Sequence, residues 1–271
     1  MSAHMPGAAG HYSTGEVAQR IQTALIAAGK DPDHLDPTDL ALMEDFHSSG
    51  RFATVALLEL ASIGAQDRVL DAGAGIGGTA RLLASERGCR VSALDITPEY
   101  CEVARRLNDA CGLGEAIEVR EGDVLALPFE EASFDVLISQ HVQMNVAAKA
   151  PMYAEARRVL RAGGRLAIWD VLAGPAGAPE FPVPWADRPE HSHLLGATEL
   201  REILAAAGFE EIVWNDLTEP SAKLMRTIVS APPPPLGLHV FVPGFQVRAE
   251  NLVRGLEQDR LRLLQAVLRA V

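Results

Sequence analysis

The sequence predicts an α/β fold, a mostly parallel sheet with helices on both faces. Three observations carry that reading. Between residues 68 and about 171, short apolar runs and helical patterns alternate five times, the order in which parallel strands and their crossover helices occur. The first run ends in Asp71-Ala72 and opens at once into a glycine turn, Gly73-Ala74-Gly75-Ile76-Gly77-Gly78. Acids stand at the ends of the next two runs, Asp95 in Ala93-Leu94-Asp95 and Asp123 in Glu121-Gly122-Asp123.

Ahead of the alternation, Val17, Ile21 and Leu25 recur at helical spacing after Thr14 as a cap, and Gly29 with Pro32 ends the segment. A loop rich in Asp and Pro, 31–37, leads to Leu40, Met43 and Phe46. Phe52, Val55, Leu58 and Ala61 then mark a further helix. A parallel sheet does not itself need these elements. Residues 1–62 are therefore expected to form a helical cover over a ligand, with 63–271 as the binding domain. Met1-Ser2-Ala3-His4 reads as a cloning remnant ahead of a natural start at Met5.

Residues 68–72 make a buried parallel strand and 79–87 a helix, which leaves the glycines in the turn between them. A second strand at 90–94 is followed by Thr97-Pro98, a helix cap and first turn. Third and fourth strands cover 116–120 and 134–139. Gly163-Gly164 reads as the stop of the helix before the fifth strand. Residues 174–189 hold five prolines, and Phe181-Pro182-Val183-Pro184-Trp185 cannot be a central strand, so an ordered loop at the strand ends is expected. A capped helix at 198–208 and a sixth strand at 211–217 follow. Beyond Pro220 the pattern loosens: Pro232 to Pro235 break a short helix, 247–258 is helical, and 260–271 fits either helix or strand.

A length of 271 residues with 48% apolar content suits one large domain or one domain with a lid, with no need of covalent staples. Cys89, Cys101 and Cys111 are odd in number and lack C-x-x-C spacing, which points to reduced structural thiols and a cytoplasmic setting. The longest apolar runs fall well short of the ~18 residues a membrane span needs, and the N-terminus lacks a charged-then-apolar leader pattern. The net charge is −12, and no stretch collects Lys and Arg with interleaved aromatics, so a phosphate backbone is a poor partner. The expected partner is a small molecule, not nucleic acid or membrane, and the chain a monomer or homodimer.

Lacking a Cβ, Gly73, Gly75 and Gly77 can adopt unusual dihedrals and let backbone amides meet a polar or anionic group. That signal is ambiguous alone, because Gly73, Gly75 and Gly78 also satisfy the G-x-G-x-x-G spacing of a dinucleotide site. Asp95 lies where a carboxylate accepts from both ribose hydroxyls, a charge-assisted contact of about 1.5–3 kcal/mol. Either nucleotide class would use it. Asp71 and Asp123 are acids that a nicotinamide site does not require.

Taken together, these residues resemble a class I S-adenosylmethionine (SAM) methyltransferase. Leu127-Pro128-Phe129 through Ser133-Phe134-Asp135 resembles that family's approach to its fourth strand, and Arg158-Val159-Leu160-Arg161-Ala162-Gly163-Gly164-Arg165-Leu166 its approach to the fifth. The likeness runs from about residue 50 to 208. It implies a Rossmann-like, seven-stranded sheet whose seventh strand inserts antiparallel beside the sixth, with substrate-lid segments near 172–195 and 219–259. It further implies that Asp71 and the glycines line the methionine end of SAM, that Asp95 holds the ribose with Ile96 beside it, and that Asp123 with Val124 meets the adenine.

The fourth strand runs into Gln140-His141-Val142-Gln143-Met144-Asn145, expected to project into the crevice where the strand order reverses. Gln140 is a candidate cofactor contact. His141 is the candidate catalytic residue, either orienting the acceptor or taking its proton, or else hydrogen-bonding the cofactor or a neighbouring carbonyl without chemistry. His47 and Gly50, in Phe46-His47-Ser48-Ser49-Gly50-Arg51, and Tyr12 sit on the cover as further cofactor candidates, against a plain packing or solvent-facing role. The phrase around His47, with Ser139-Gln140-His141 and residues 181–185, is similar to small-molecule methyltransferases related to the sarcosine/dimethylglycine N-methyltransferases, which act on small amines. Phe181 and Trp185 are candidate walls of an acceptor pocket and Arg188 a candidate for an acceptor carboxylate, though an aromatic anchor pinning a proline loop explains them too. Asp187, Glu190, His191 and His193 lack a spacing that fixes metal geometry, so no metal is expected.

Two rival readings remain. An NAD(P)-dependent oxidoreductase shares the glycine turn and Asp95, but its short-chain form needs a Tyr-x-x-x-Lys pair. Here Tyr153 precedes Arg157, Tyr100 precedes Ala104 and Tyr12 precedes Glu16. A non-catalytic SAM-binding module is the other.

Overall fold

The computed structural model describes residues 15–44 and 47–271. The five alternations become parallel strands: β1 (Arg68–Ala72), β2 (Arg90–Asp95), β3 (Ile117–Glu121), β4 (Phe134–Gln140) and β5 (Leu160–Ala173). With β6 (Phe209–Asp216) and β7 (Leu261–Ala270) they form one seven-stranded sheet of order β3-β2-β1-β4-β5-β7-β6. β7 is antiparallel to both of its neighbours, β5 and β6. Its residues are almost all buried on both faces, which is why apolar periodicity left the segment open between helix and strand.

The described helices are α1 (Val17–Ala27), α2 (Ala41–Glu44), α3 (Gly50–Leu60), α4 (Gly78–Leu82), α5 (Pro98–Ala110), α6 (Lys149–Val159), α7 (Ala197–Ala206), α8 (Thr218–Ser230) and α9 (Phe245–Glu257). α4 continues as a π-helical turn over Leu83–Arg87. Strand side chains alternate between the two faces, as the pleat requires. Val69, Ile138 and Ala167 join α3 and α9 in one core layer, while Leu70, Leu137 and Leu166 join α6 and α7 in the other. A third cluster packs α1 against α5 through Val17, Ile21, Val103 and Leu107, with Leu236 and Phe241 from the segment after α8.

Two local expectations change. α6 stops at Val159, and Gly163-Gly164 lie inside β5, at a bulge where pairing moves from Phe134 with Leu160 to Val136 with Arg165. A Cβ on Gly164 would stand 2.8 Å from the carbonyl of Arg161, so close backbone approach rather than helix termination calls for glycine there. Thr97 does precede α5, but its side chain makes no cap bond; instead its amide donates to Asp95 at 2.8 Å. Thr14, offered as the cap of α1, lies outside the described residues, as does Phe46. The start of α1 is held from afar by Glu99, whose carboxylate accepts from the amides of Gly15 (2.9 Å) and Val17 (2.7 Å).

Residues 174–189 form the ordered loop expected, with Val183 and Ala186 paired. α9 holds it: Asn251 donates to the carbonyl of Pro182 at 2.9 Å, and Arg248 to that of Val183 at 2.9 Å. No helix among the described residues is long and apolar enough to cross a membrane.

Candidate active site

Strand order reverses at β1, which lies between β2 and β4, and this is where open α/β sheets leave a crevice beyond their strand ends. A cavity of ≈ 350 Å³ occupies that position. Its floor is made by the loops that leave β1, β2, β3 and β4, contributing Gly73 and Gly75, Asp95, Asp123 and Gln140 with His141.

The glycine turn follows β1 because its backbone must double back. Gly73 (φ +86°) and Gly75 (φ +55°) sit in left-handed conformations, and the amides of Gly73 and Ala74 both donate to the carbonyl of Leu94, at 2.8 and 2.9 Å. A Cβ on Gly73 would meet Val142 Cγ2 at 2.3 Å, whereas one on Gly75 would enter open space. The turn thus packs on one side and faces the cavity on the other.

Asp95 is fixed at the tip of β2 by two charge-assisted bonds, from Gly75 N and Thr97 N, each 2.8 Å. Burial pushes its proton affinity up, against the pull of those amides. At the tip of β3, Asp123 accepts from Leu125 N at 2.9 Å, a turn that holds its side chain beside Val124. Gln140 donates to Thr79 Oγ1 at 2.7 Å and leaves its own Oε1 buried without a partner. An unpaired buried acceptor on a cavity wall is the kind of group that a ligand donor satisfies.

His141 takes a left-handed φ of +54°, its amide donating to the carbonyl of Trp169 at 2.8 Å. Its Nε2 accepts from the amide of Ser48 at 3.4 Å and lies 3.2 Å from Ser48 Oγ, and the Trp169 indole donates to Ser48 O at 3.1 Å. Burial, and secondarily the His47 ring with its centroid 6.0 Å away, hold the imidazole pKa well below the usual histidine value. His141 is therefore neutral, and the Ser48 amide at Nε2 assigns the ring proton to Nδ1.

Trp185 is buried and lines the cavity, its indole donating to Ser192 Oγ at 2.9 Å. The proline loop is stapled to the β4 loop by Lys149, whose Nζ donates to the carbonyls of Val146 and, at 2.6 Å, His193. Burial brings that ammonium down to about 8. Beneath lies Asp170, wholly buried in β5, accepting from the amides of Val142, Gln143 and Val171. Burial lifts its pKa to about 7.

Of the candidates read from sequence, Gly73, Gly75, Asp95, Ile96, Asp123, Val124, Gln140, His141 and Trp185 share this one cavity. Others do not reach its wall. Asp71 is buried in β1 with one oxygen unpartnered, and burial, aided by Asp95, pushes its pKa up to about 7. Gly77 turns away toward Arg81, and His47 Nε2 lies 2.9 Å from Thr54 Oγ1 at the back of His141. Gly50 begins α3. Phe181 is half-buried and packs against the core, and Arg188 is exposed and lies off the cavity, because the loop turns inward only at Pro184 and Trp185. Gln143 is likewise buried away from it. Tyr12 lies outside the described residues. Sequence reasoning passed over Ser48, Tyr100 and Asp170, and weighed His193 only as a metal ligand. An acid inside the apolar fifth run was the readable signal for Asp170. No group of three or more His, Cys, Asp or Glu that could hold a metal occurs among the described residues.

Residues 70–168 match the methyltransferase domain family. The chain is 35% identical over 158 residues to a sarcosine/dimethylglycine N-methyltransferase of Halorhodospira halochloris, covering 58% of this chain and 56% of that one. It spans about half the length of the curated relatives it matches. Among solved structures, geranyl diphosphate C-methyltransferase from Streptomyces coelicolor A3(2), in complex with Mg2+, geranyl diphosphate and S-adenosyl-L-homocysteine, superposes with a TM-score of 0.69 at 16% identity, over 82% of this chain and 79% of that. The [4+2]-cyclase SpnF superposes with a TM-score of 0.68 at 21% identity, over 100% and 99%. Residues 70–168 are thus similar to a methyltransferase domain, and the chain shares its fold with these solved structures.

Proposed function

We propose that the chain is a SAM-dependent methyltransferase acting on a small-molecule acceptor. The observation that carries this is the convergence of Asp95, Asp123, the Gly73–Gly75 turn and His141 on one cavity at the strand-order reversal. The donor set fits the cofactor: a carboxylate for ribose hydroxyls at Asp95, an acid and an apolar neighbour for adenine at Asp123 and Val124, and the unpaired Oε1 of Gln140 as an acceptor. When bound, SAM supplies a methyl group on a sulfonium, whose sulfur keeps the bonding pair as the acceptor takes the methyl and releases a proton.

The chain's own part is alignment. Holding two reactants in line lowers a barrier by about 7–11 kcal/mol. Trp185 and the loop clamped by α9 wall one side of the cavity, while His141 presents Nδ1–H as a donor that orients the acceptor. Its other nitrogen is engaged by Ser48, so positioning rather than proton abstraction is its role in this reading. An amine is a fitting nucleophile, as the names of the curated relatives suggest. A cytoplasmic location suits the three free thiols, Cys89, Cys101 and Cys111. The test is a mass-spectrometric screen of small amines, phenols, thiols and carboxylates with SAM. One added methyl with matching S-adenosylhomocysteine supports the proposal; no methylated product from any member of the panel opposes it.

A further inference from the structure

The part of the cavity beyond the cofactor-facing acids carries information about the acceptor's charge. It is walled by Val142, Met144, Pro184 and Trp185, with Asn145 and His193 as polar groups beside His141. Among the described residues no Arg or Lys lines it. The undescribed positions 1–14, 45 and 46 contain neither residue. Lys149, the nearest cation in sequence, spends its ammonium on the carbonyls of Val146 and His193. Arg188 is exposed and off the cavity, and Arg248 is committed to Asp187 and the carbonyls of Pro243 and Val183. The amides at the start of α6 approach the rim at Ala147 and Ala148, where the one neighbouring cation, the Lys149 ammonium, is already held by the carbonyls of Val146 and His193. A carboxylate or phosphate entering here would surrender its hydration next to Asp95 and Asp123 with no Arg or Lys on the wall to pair with it, a costly exchange.

Resting on the methyltransferase reading, we propose that the acceptor is an uncharged, predominantly apolar molecule that offers its nucleophilic atom to His141 and Asn145, and not an amino acid or a phosphate ester. This separates the chain from the sarcosine and dimethylglycine specificity in the names of its relatives. Shape and apolar contact with Trp185 and Met144 supply the affinity, and a single polar contact supplies orientation.

A matched pair of probes tests it: 2-naphthol, neutral at pH 7, and 2-naphthoate, of the same shape with a carboxylate, titrated by calorimetry into protein saturated with S-adenosylhomocysteine, alongside dimethylglycine. 2-Naphthol is expected to bind roughly tenfold or more tighter than 2-naphthoate, with no heat from dimethylglycine. His193→Arg is expected to raise 2-naphthoate affinity by about tenfold, since it supplies the missing cation. Equal or tighter binding of 2-naphthoate or dimethylglycine, silence from 2-naphthol, or no gain in H193R overturns this inference alone. Failure of S-adenosylhomocysteine itself to bind would remove the cofactor reading beneath it.

Discussion

Ser48 and His141 meet at one nitrogen: the Ser48 amide donates to His141 Nε2 at 3.4 Å, with Ser48 Oγ 3.2 Å from the same atom. The contact joins the segment before α3 to the end of β4, so the imidazole is both oriented and kept neutral. His141→Ala is expected to lower turnover more than SAM affinity, measured by steady-state kinetics and calorimetry; a loss of affinity alone would make it a cofactor contact. The depressed pKa also has a stability consequence. The unfolded chain binds a proton near pH 6.5, before the folded one does, so this contribution is present above that pH and is lost as pH falls below it. Denaturation across the acid range should show a flatter limb in His141→Gln than in the wild type. An identical slope would contradict the burial of a neutral ring.

Asp95 holds the glycine turn and faces the cavity at once. Asp95→Ala is expected to weaken SAM binding by at least roughly tenfold, the scale of a lost charge-assisted pair of bonds. Unchanged affinity by calorimetry would take Asp95 out of the ribose role.

Asp71 is buried with an unpartnered oxygen, and its pKa of about 7 comes from burial and then from Asp95. An incoming cation, such as the ammonium of SAM, favours the ionised form, so binding near pH 6 should expel a proton from Asp71 and affinity should rise as pH climbs toward 7. Calorimetry in buffers of different ionisation enthalpy counts that proton. In Asp71→Asn the release should vanish, and a wild type that releases none would separate Asp71 from the cofactor.

The strand tips were legible in sequence because a buried parallel strand, a glycine turn and a terminal acid are local patterns. Asp95 and Asp123 could be placed before any fold was known, whereas Asp71, also read from its strand, is buried behind the cavity wall. The acceptor side was not legible. Whether Trp185 or Phe181 turns inward depends on how α9 grips the loop, through Asn251 and Arg248 some sixty residues away in sequence. The bulge at Gly163-Gly164 hid behind a helix-stop signal of the same composition. The role of Ser48 arises only when β4 and the cover meet, and no spacing in the chain announces it.

Glu44 shows how the cover is bolted down. Its carboxylate takes two bonds from Arg81, at 2.6 and 3.0 Å, and one from Arg51 at 2.5 Å, with Arg81 fully buried and also bonded to Asn108. Its side chain lies over Gly78, where a Cβ would come within 2.8 Å of Glu44 Cγ. Glu44→Ala leaves a buried guanidinium without its counter-charge, and should cost about 3–5 kcal/mol in chemical denaturation. A change below about 1 kcal/mol would mean that the network is dispensable.

The central claim is that these strand tips form a SAM site, and calorimetry with SAM, S-adenosylhomocysteine and NADH tests it most directly. The account predicts saturable binding of SAM and S-adenosylhomocysteine and none of NADH. Binding of NADH alone would contradict it.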